Sequence, residues 1–240
     1  MTGFASLLTA AAFCFCEYLC FILPAAGLLV LLKFCFRVPH ELFRKLLHTA
    51  AFLSAPVIIK LAPDWQTASL VLALFALVVW PILAWAERFP GFGGLLEQRG
   101  PGEIKHSLLL LFLSNAALAA VCWGIFAQPW AASAGILMWG FGDAAAALVG
   151  KPYGKHKVQL PLADHKKSWE GSGAMFSTSA LAGVLVMTLV YRFPPIRALA
   201  LALPTAALGA WVELCTHGGN DTVTVPAANC TALLLLHFLL

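Results

Sequence analysis

An acid sits where the chain otherwise reads as an apolar helix. Asp143 lies in Trp139-Gly140-Phe141-Gly142-Asp143-Ala144-Ala145-Ala146-Ala147, about seven residues before a basic loop. At 1.5 Å per residue that is roughly 10 Å inside the helix end. An ionised carboxylate there costs several kcal/mol unless a cation or a water-filled cavity accompanies it. The surrounding glycines and alanines let backbones and a ligand approach closely. The loop that follows, from Gly150 to Glu170, carries five lysines and two histidines, with Asp164 as its one internal acid. Two readings of it stand open. It is an orientation signal touching anionic lipid headgroups, or it is a polyphosphate site built from lysines, glycines and backbone N–H groups.

Three further charged sets fall on the same predicted side. Arg44-Lys45-x-x-His48 opens the second apolar run; Arg44 and His48 are four apart and share a helix face, as do Glu41 and Lys45, which can simply pair. Glu103 and Lys105 precede the fourth run. Glu213 closes the seventh, followed by His217-Gly218-Gly219-Asn220-Asp221 and Thr224. Each alone is an ordinary solvated helix end. Together they are the inventory for holding a metal-bound nucleotide beside a lipid headgroup: carboxylates for Mg²⁺, lysines for phosphates, and a carboxylate or His as base. No Walker A motif is present, and Gly140-x-Gly142 does not follow a strand, so it is no dinucleotide fingerprint. HExxH, GxSxG and kinase HRD sets are absent as well.

The elements that must position these groups are membrane helices. Of 240 residues, 61% are apolar and 11% charged, and mean hydropathy is +0.86. An average soluble domain is about half apolar and about a quarter charged, so the composition excludes a disordered chain, a collagen-like chain and a disulfide-stapled module, and argues against an ordinary soluble globule. Apolar stretches near 20 residues, without strand alternation, predict an all-α, polytopic integral membrane bundle of about seven or eight spans, as a single domain over 1–240. After a long first segment, read as a retained span and not a cleaved signal, the runs are about Leu46–Ile59, Gln66–Ala86, His106–Phe126, Ala131–Val149, Gly171–Tyr191, Ala198–Leu214 and Val225–Leu240. Pro39, Pro63, Pro90-Gly91, Pro101-Gly102, Pro129, Pro152 and Pro194-Pro195 mark breaks. Glu17 is placed at the outer surface.

Alternate loops divide the basic residues. One side takes Lys33, Arg37, Arg44, Lys45, Arg88, Arg99, Lys105, Lys151, Lys155, Lys157, Lys166 and Lys167, which is 12 of 15. The positive-inside rule makes that side cytoplasmic, with both termini outside. The net charge of +4 is too small and too confined to loops for nucleic-acid binding. Seven cysteines, mostly within apolar runs and with no CxxC pair, read as small packing residues.

These blocks resemble the CTP-dependent lipid-alcohol kinases: the dolichol, phytol and polyprenol kinases and the fungal-type diacylglycerol kinases. The resemblance runs over about residues 40 to 230. It rests on Arg44-Lys45-x-x-His48, Gly142-Asp143-x-x-Ala146-x-x-x-Gly150, Gly154-Lys155-His156, Lys167-Ser168-x-Glu170-Gly171-Ser172, and Glu213 with Asp221-Thr222-Val223-Thr224-Val225-Pro226. Thr222 stands where that family usually has Asn. The central block is also similar to phosphatidate cytidylyltransferase, through Lys166-Lys167-Ser168-Trp169-Glu170-Gly171. That family's Lys-Asp pair before the His-Gly-Gly run is missing here, and Thr222 and Thr224 replace its Arg and last Asp. The Arg44-Lys45-x-x-His48 block fits the kinases.

What the kinase resemblance implies is phosphorylation of an isoprenoid alcohol by CTP with Mg²⁺, at the cytoplasmic face of a bacterial inner membrane. It implies that Lys155, Lys157, Lys166, Lys167 and Ser168 contact the triphosphate and that Asp143 and Glu170 ligate the metal. Glu213 or Asp221 completes the metal site or orients the hydroxyl. Arg44, Lys45 and His48 neutralise the phosphoryl group or its acceptor. The competing readings are the cytidylyltransferase, making CDP-diacylglycerol, and a transporter whose basic loop is only a topology signal.

Overall fold

The structure, a computed structural model, describes residues 2–36, 38–89, 92, 102–160, 162–217 and 219–240, with the side chains of 2, 40 and 41 also outside the description. The expectations about Arg37, Arg99, the Glu41–Lys45 pair, the breaks at Pro90-Gly91 and Pro101, and Gly218 therefore lie outside the described residues. Eight described helices are long and apolar enough to cross a membrane, and no strand occurs among the described residues. The protein is an all-α polytopic bundle. The chain divides into two compact units, Met1–Gly124 and Ile125–Leu240.

The first unit contains α1 (Thr2–Phe36), α2 (His40–Leu61), α3 (Trp65–Ala86) and α4 (Glu103–Ala119), which continues as a π-helical turn from Ala120. α1 is a single helix of 35 residues, with Pro24 inside it. At 1.5 Å per residue it is roughly 50 Å long, well beyond a hydrocarbon core of about 30 Å. Ala11, Tyr18 and Ile22 form its buried stripe, at helical spacing, while Glu17 is exposed. That stripe packs on α2 and α3, and α3 packs on α4. α2 begins earlier than the apolar pattern alone suggests, so Arg44, Lys45 and His48 are all helical. Asp64 caps α3 by accepting from the Thr67 N–H at 2.7 Å.

The second unit contains α5 (Pro129–Tyr153), α6 (Trp169–Leu185, then a π turn Val186–Val190), α7 (Pro195–Cys215) and α8 (Asp221–Leu239). Pro129 sits in the first turn of α5, where a missing N–H costs nothing. α5 runs on through Lys151 and Pro152 to Tyr153, beyond the end expected at Val149. Asp143 is therefore ten residues, about 15 Å, from the helix end. α5 and α6 meet through small residues. A Cβ on Gly142 would lie 2.3 Å from the Ser179 hydroxyl oxygen, so only glycine fits. Ser179 donates to the Met138 carbonyl at 2.6 Å, tying the helices at that level.

Candidate functional site

In the second unit the basic segment between α5 and α6 is folded back on itself. The Val158 N–H donates to the Lys167 carbonyl at 3.1 Å and the Trp169 N–H to the His156 carbonyl at 3.0 Å, around an isolated antiparallel bridge between Lys157 and Ser168. Asp164 holds the returning chain, accepting from the N–H groups of Lys166 (3.0 Å, side chain) and Lys167 (2.9 Å, carbonyl). The Asp164 N–H in turn donates to the Leu214 carbonyl at 2.9 Å, and Val158 and Ala163 bury themselves against Leu214. The loop is thus docked on the last turn of α7.

Lys167 makes the strongest tie. Its Nζ lies 2.8 Å from Glu213 Oε1 and also donates to the carbonyls of Glu213 and Thr216, the latter at 3.1 Å. Glu213 is 7% exposed. A carboxylate so placed needs a cation and hydrogen bonds to remain charged, and Lys167 supplies both. Asp143 and Asp221 also act electrostatically on Glu213.

These elements enclose a cavity of about 370 Å³, lined by Asp143, Lys151, Lys157, Lys166, Lys167 and Glu213, with Ser168 and glycines behind them. Four lysines against two carboxylates leave it net positive. Its floor is Gly150 against Gly171: a Cβ on Gly171 would lie 3.1 Å from the Ala146 carbonyl oxygen and 3.2 Å from the Gly150 Cα. Ser168 is the N-cap of α6, its hydroxyl accepting from the Gly171 N–H at 3.2 Å.

Two of the expected residues stand outside the lining of this cavity. Both Glu170 oxygens accept from the His156 N–H (3.1 and 3.3 Å), one also from the Lys155 N–H (3.2 Å), and His156 Nδ1 is 2.6 Å away. Glu170 thus braces the turn at 154–156 and does not line the cavity with Asp143. Lys155 is exposed and likewise not in the lining. Conversely, Lys151, one of the loop's five lysines but not among the implied triphosphate contacts, lines the cavity. Asp143, Ala147 and Lys151 are four apart, as are Ala146 and Gly150, so one face of α5 supplies five lining positions. That periodicity was readable, but ending the helix at Val149 cut it short.

Among the described residues no three His, Cys, Asp or Glu side chains are grouped to hold a metal ion. Mg²⁺ commonly uses one or two protein carboxylates and takes its remaining ligands from phosphate and water. Asp143 and Glu213, sharing one cavity, fit that smaller requirement.

The first unit holds a second cavity, of about 550 Å³. Arg44, Lys45, His48 and Glu103 contribute to its wall, and Arg44 lies 3.7 Å from Glu103. Lys45 is 8% exposed. Lys105, grouped with Glu103 in the sequence, pairs with Glu87 at 2.6 Å.

Fold and site together define a polytopic α-helical membrane protein with a lysine- and carboxylate-lined cavity at its helix ends. The chain is 34% identical over 124 residues to a phytol kinase from Synechocystis sp., an alignment that covers 51% of this chain and 52% of that relative. The chain therefore spans about half the length of the curated relative it matches. This similarity bears out the resemblance to the lipid-alcohol kinases drawn from the motifs. No protein-family model and no solved structure matches the chain.

Proposed function

We propose that the protein is a kinase transferring the γ-phosphoryl group of CTP to an isoprenoid alcohol, at the cytoplasmic face of the membrane. The reading is carried by the cavity of the second unit: four lysines around Asp143 and Glu213, in a chain similar to a phytol kinase. Phosphoryl transfer asks a protein mainly for positioning and charge neutralisation. Lys151, Lys157 and Lys166 suit the phosphates, since each is a flexible point charge. Lys167 fixes Glu213 and the loop, and so shapes the cavity from its buried side.

Asp143, with Glu213 beside it, would hold Mg²⁺, which neutralises charge on the phosphate oxygens. The chain's own part is to orient the triphosphate on the lysines and to shield it with the docked loop. Arg44, Lys45 and His48 are the groups proposed to neutralise the phosphoryl group or its acceptor. In the reaction the hydroxyl gives its proton to a carboxylate or histidine base, its oxygen bonds to the γ-phosphorus, and the bond from that phosphorus to the β-phosphate oxygen breaks, releasing CDP. The cytoplasmic placing rests on the basic residues concentrated on alternate loops.

Product analysis tests the proposal. The purified protein, with Mg²⁺ and CTP labelled in the γ-phosphate, is offered phytol, farnesol, undecaprenol, diacylglycerol and phosphatidate in separate reactions. Label on an alcohol, with CDP released, is the expected result. Label leaving as pyrophosphate with phosphatidate alone would replace the kinase by a cytidylyltransferase. Absence of turnover with every lipid would favour a transporter.

A further inference from the structure

We infer that the cavity of the first unit seats a single isoprenoid chain, and that Tyr18, Phe75 and Phe112 limit the length of chain it takes. What happens to the alcohol's hydroxyl rests on the kinase reading above; the seating of the chain does not.

The cavity is amphipathic along its length. Its charged groups, Arg44, Lys45, His48 and Glu103, all come from the first three turns of α2 and the first turn of α4. The Arg44–Glu103 contact at 3.7 Å sets those two helix starts at one level. From that level the lining continues down α2 as far as Ala51 and down α4 as far as Phe112. Those runs of seven and nine residues correspond to roughly 10 and 13 Å. The wall between is almost wholly aliphatic. At the far end three rings close it: Tyr18 and Phe75 at 4.8 Å between centroids, Phe75 and Phe112 at 4.5 Å, Tyr18 and Phe112 at 6.4 Å. All three are buried, so they form a rigid stop.

A slot with one charged end and one aromatic end fits an amphiphile with one head and one chain. A volume of about 550 Å³ lies inside the range that encloses one small organic ligand, roughly 300–1,000 Å³. It is not a space for a two-chain lipid. An extended chain advances about 1.2 Å per bond, taking a peptide residue of three bonds as the ruler. A slot of roughly 10–13 Å, measured along α2 and α4 to the level of the rings, then holds about 8–11 bonds. Each isoprene unit adds four main-chain carbons. About two to three units therefore fill the slot, and a long polyprenol meets the aromatic stop.

The experiment is equilibrium binding, without nucleotide, of a tritiated three-isoprene alcohol to the protein in nanodiscs. Alcohols of two, three, four, six and nine isoprene units compete against it. Affinity is expected to rise up to two or three units and to fall by about tenfold for the longest. Phe75→Ala should move that break one unit longer, improving the four-unit alcohol about fivefold relative to the three-unit one. Ala51→Phe should move it one unit shorter. Thermal unfolding identifies any variant that fails to fold, and if Phe75→Ala does, Ala51→Phe decides. A break that stays put in a folded variant, equal loss at every length, or a tightly held phospholipid that no alcohol displaces would each overturn the inference. Length-dependent binding without phosphoryl transfer would leave the slot assigned and remove the kinase. Transfer with an unmoved length profile would do the reverse.

Discussion

Lys167 Nζ meets Glu213 Oε1 at 2.8 Å across 46 residues of sequence, fastening the basic loop to the end of α7. The contact decides what each residue can do. Lys167 is spent on a buried carboxylate and two carbonyls, so it shapes the cavity from within while Lys151, Lys157 and Lys166 remain around it.

Removing one partner of such a pair leaves the other charged and buried. Lys167→Met should lower stability by about 3 kcal/mol. The double variant Lys167→Met/Glu213→Leu should recover more than half of that loss. Thermal unfolding in detergent, run as a double-mutant cycle, measures both. Equal loss in the single and double variants would show that the pair contributes little.

Asp143→Asn keeps the shape and removes the charge. If Asp143 carries the metal, kcat should fall by about 10²–10³, as for loss of one charge-stabilising group. Folding should be unaffected, and the Mg²⁺ dependence should weaken. Turnover within twofold of the parent would remove Asp143 from the site.

Glu170 braces the loop and is not among the cavity's lining residues. Glu170→Gln should loosen residues 154–157, because four contacts to Lys155 and His156 depend on its oxygens. Hydrogen exchange at the His156 amide should accelerate, and KM for CTP should rise by about tenfold with kcat nearly unchanged, the signature of lost binding. A fall in kcat with unchanged KM would instead argue for direct metal ligation by Glu170.

The α5–α6 seam has no room for a methyl group at Gly142. Gly142→Ala should destabilise by about 1–3 kcal/mol through overpacking. Because the nearest atom is the Ser179 hydroxyl oxygen, Ser179→Ala in the same chain should restore part of the loss. No rescue would mean that the Met175 side chain and backbone, next nearest, set the limit.

The sequence carried the class of fold and most of the second-unit cavity, because both depend on local signals. Apolar runs mark spans, and Asp143, Lys157, Lys166 and Lys167 flank one helix end. Helix ends were harder to place. Pro152 reads as a break, yet Pro is tolerated in the last turn of a membrane helix, where neighbours satisfy the freed carbonyl. Ending the helix at Val149 puts Lys151 in the loop, whereas it stands on α5. Glu170 and Lys167 show a different limit. Both are charged residues in one short motif, and only tertiary placement separates the one that braces a turn from the one that pins a buried acid. The aromatic stop of Tyr18, Phe75 and Phe112 draws on three helices, and no spacing along the chain announces it.

The docked loop also bears on how fast a nucleotide can be captured. A segment that must organise itself around its ligand gives up chain entropy at the moment of binding. At 156–158 and 163–169 that entropy was surrendered when the protein folded, through the bridge at Lys157 and Ser168 and the anchor at Leu214. Under the proposed function, an arriving triphosphate meets a template already set there. Its capture should be governed by diffusion and by the attraction of the lysines, and so should slow as salt is added, not by a conformational wait.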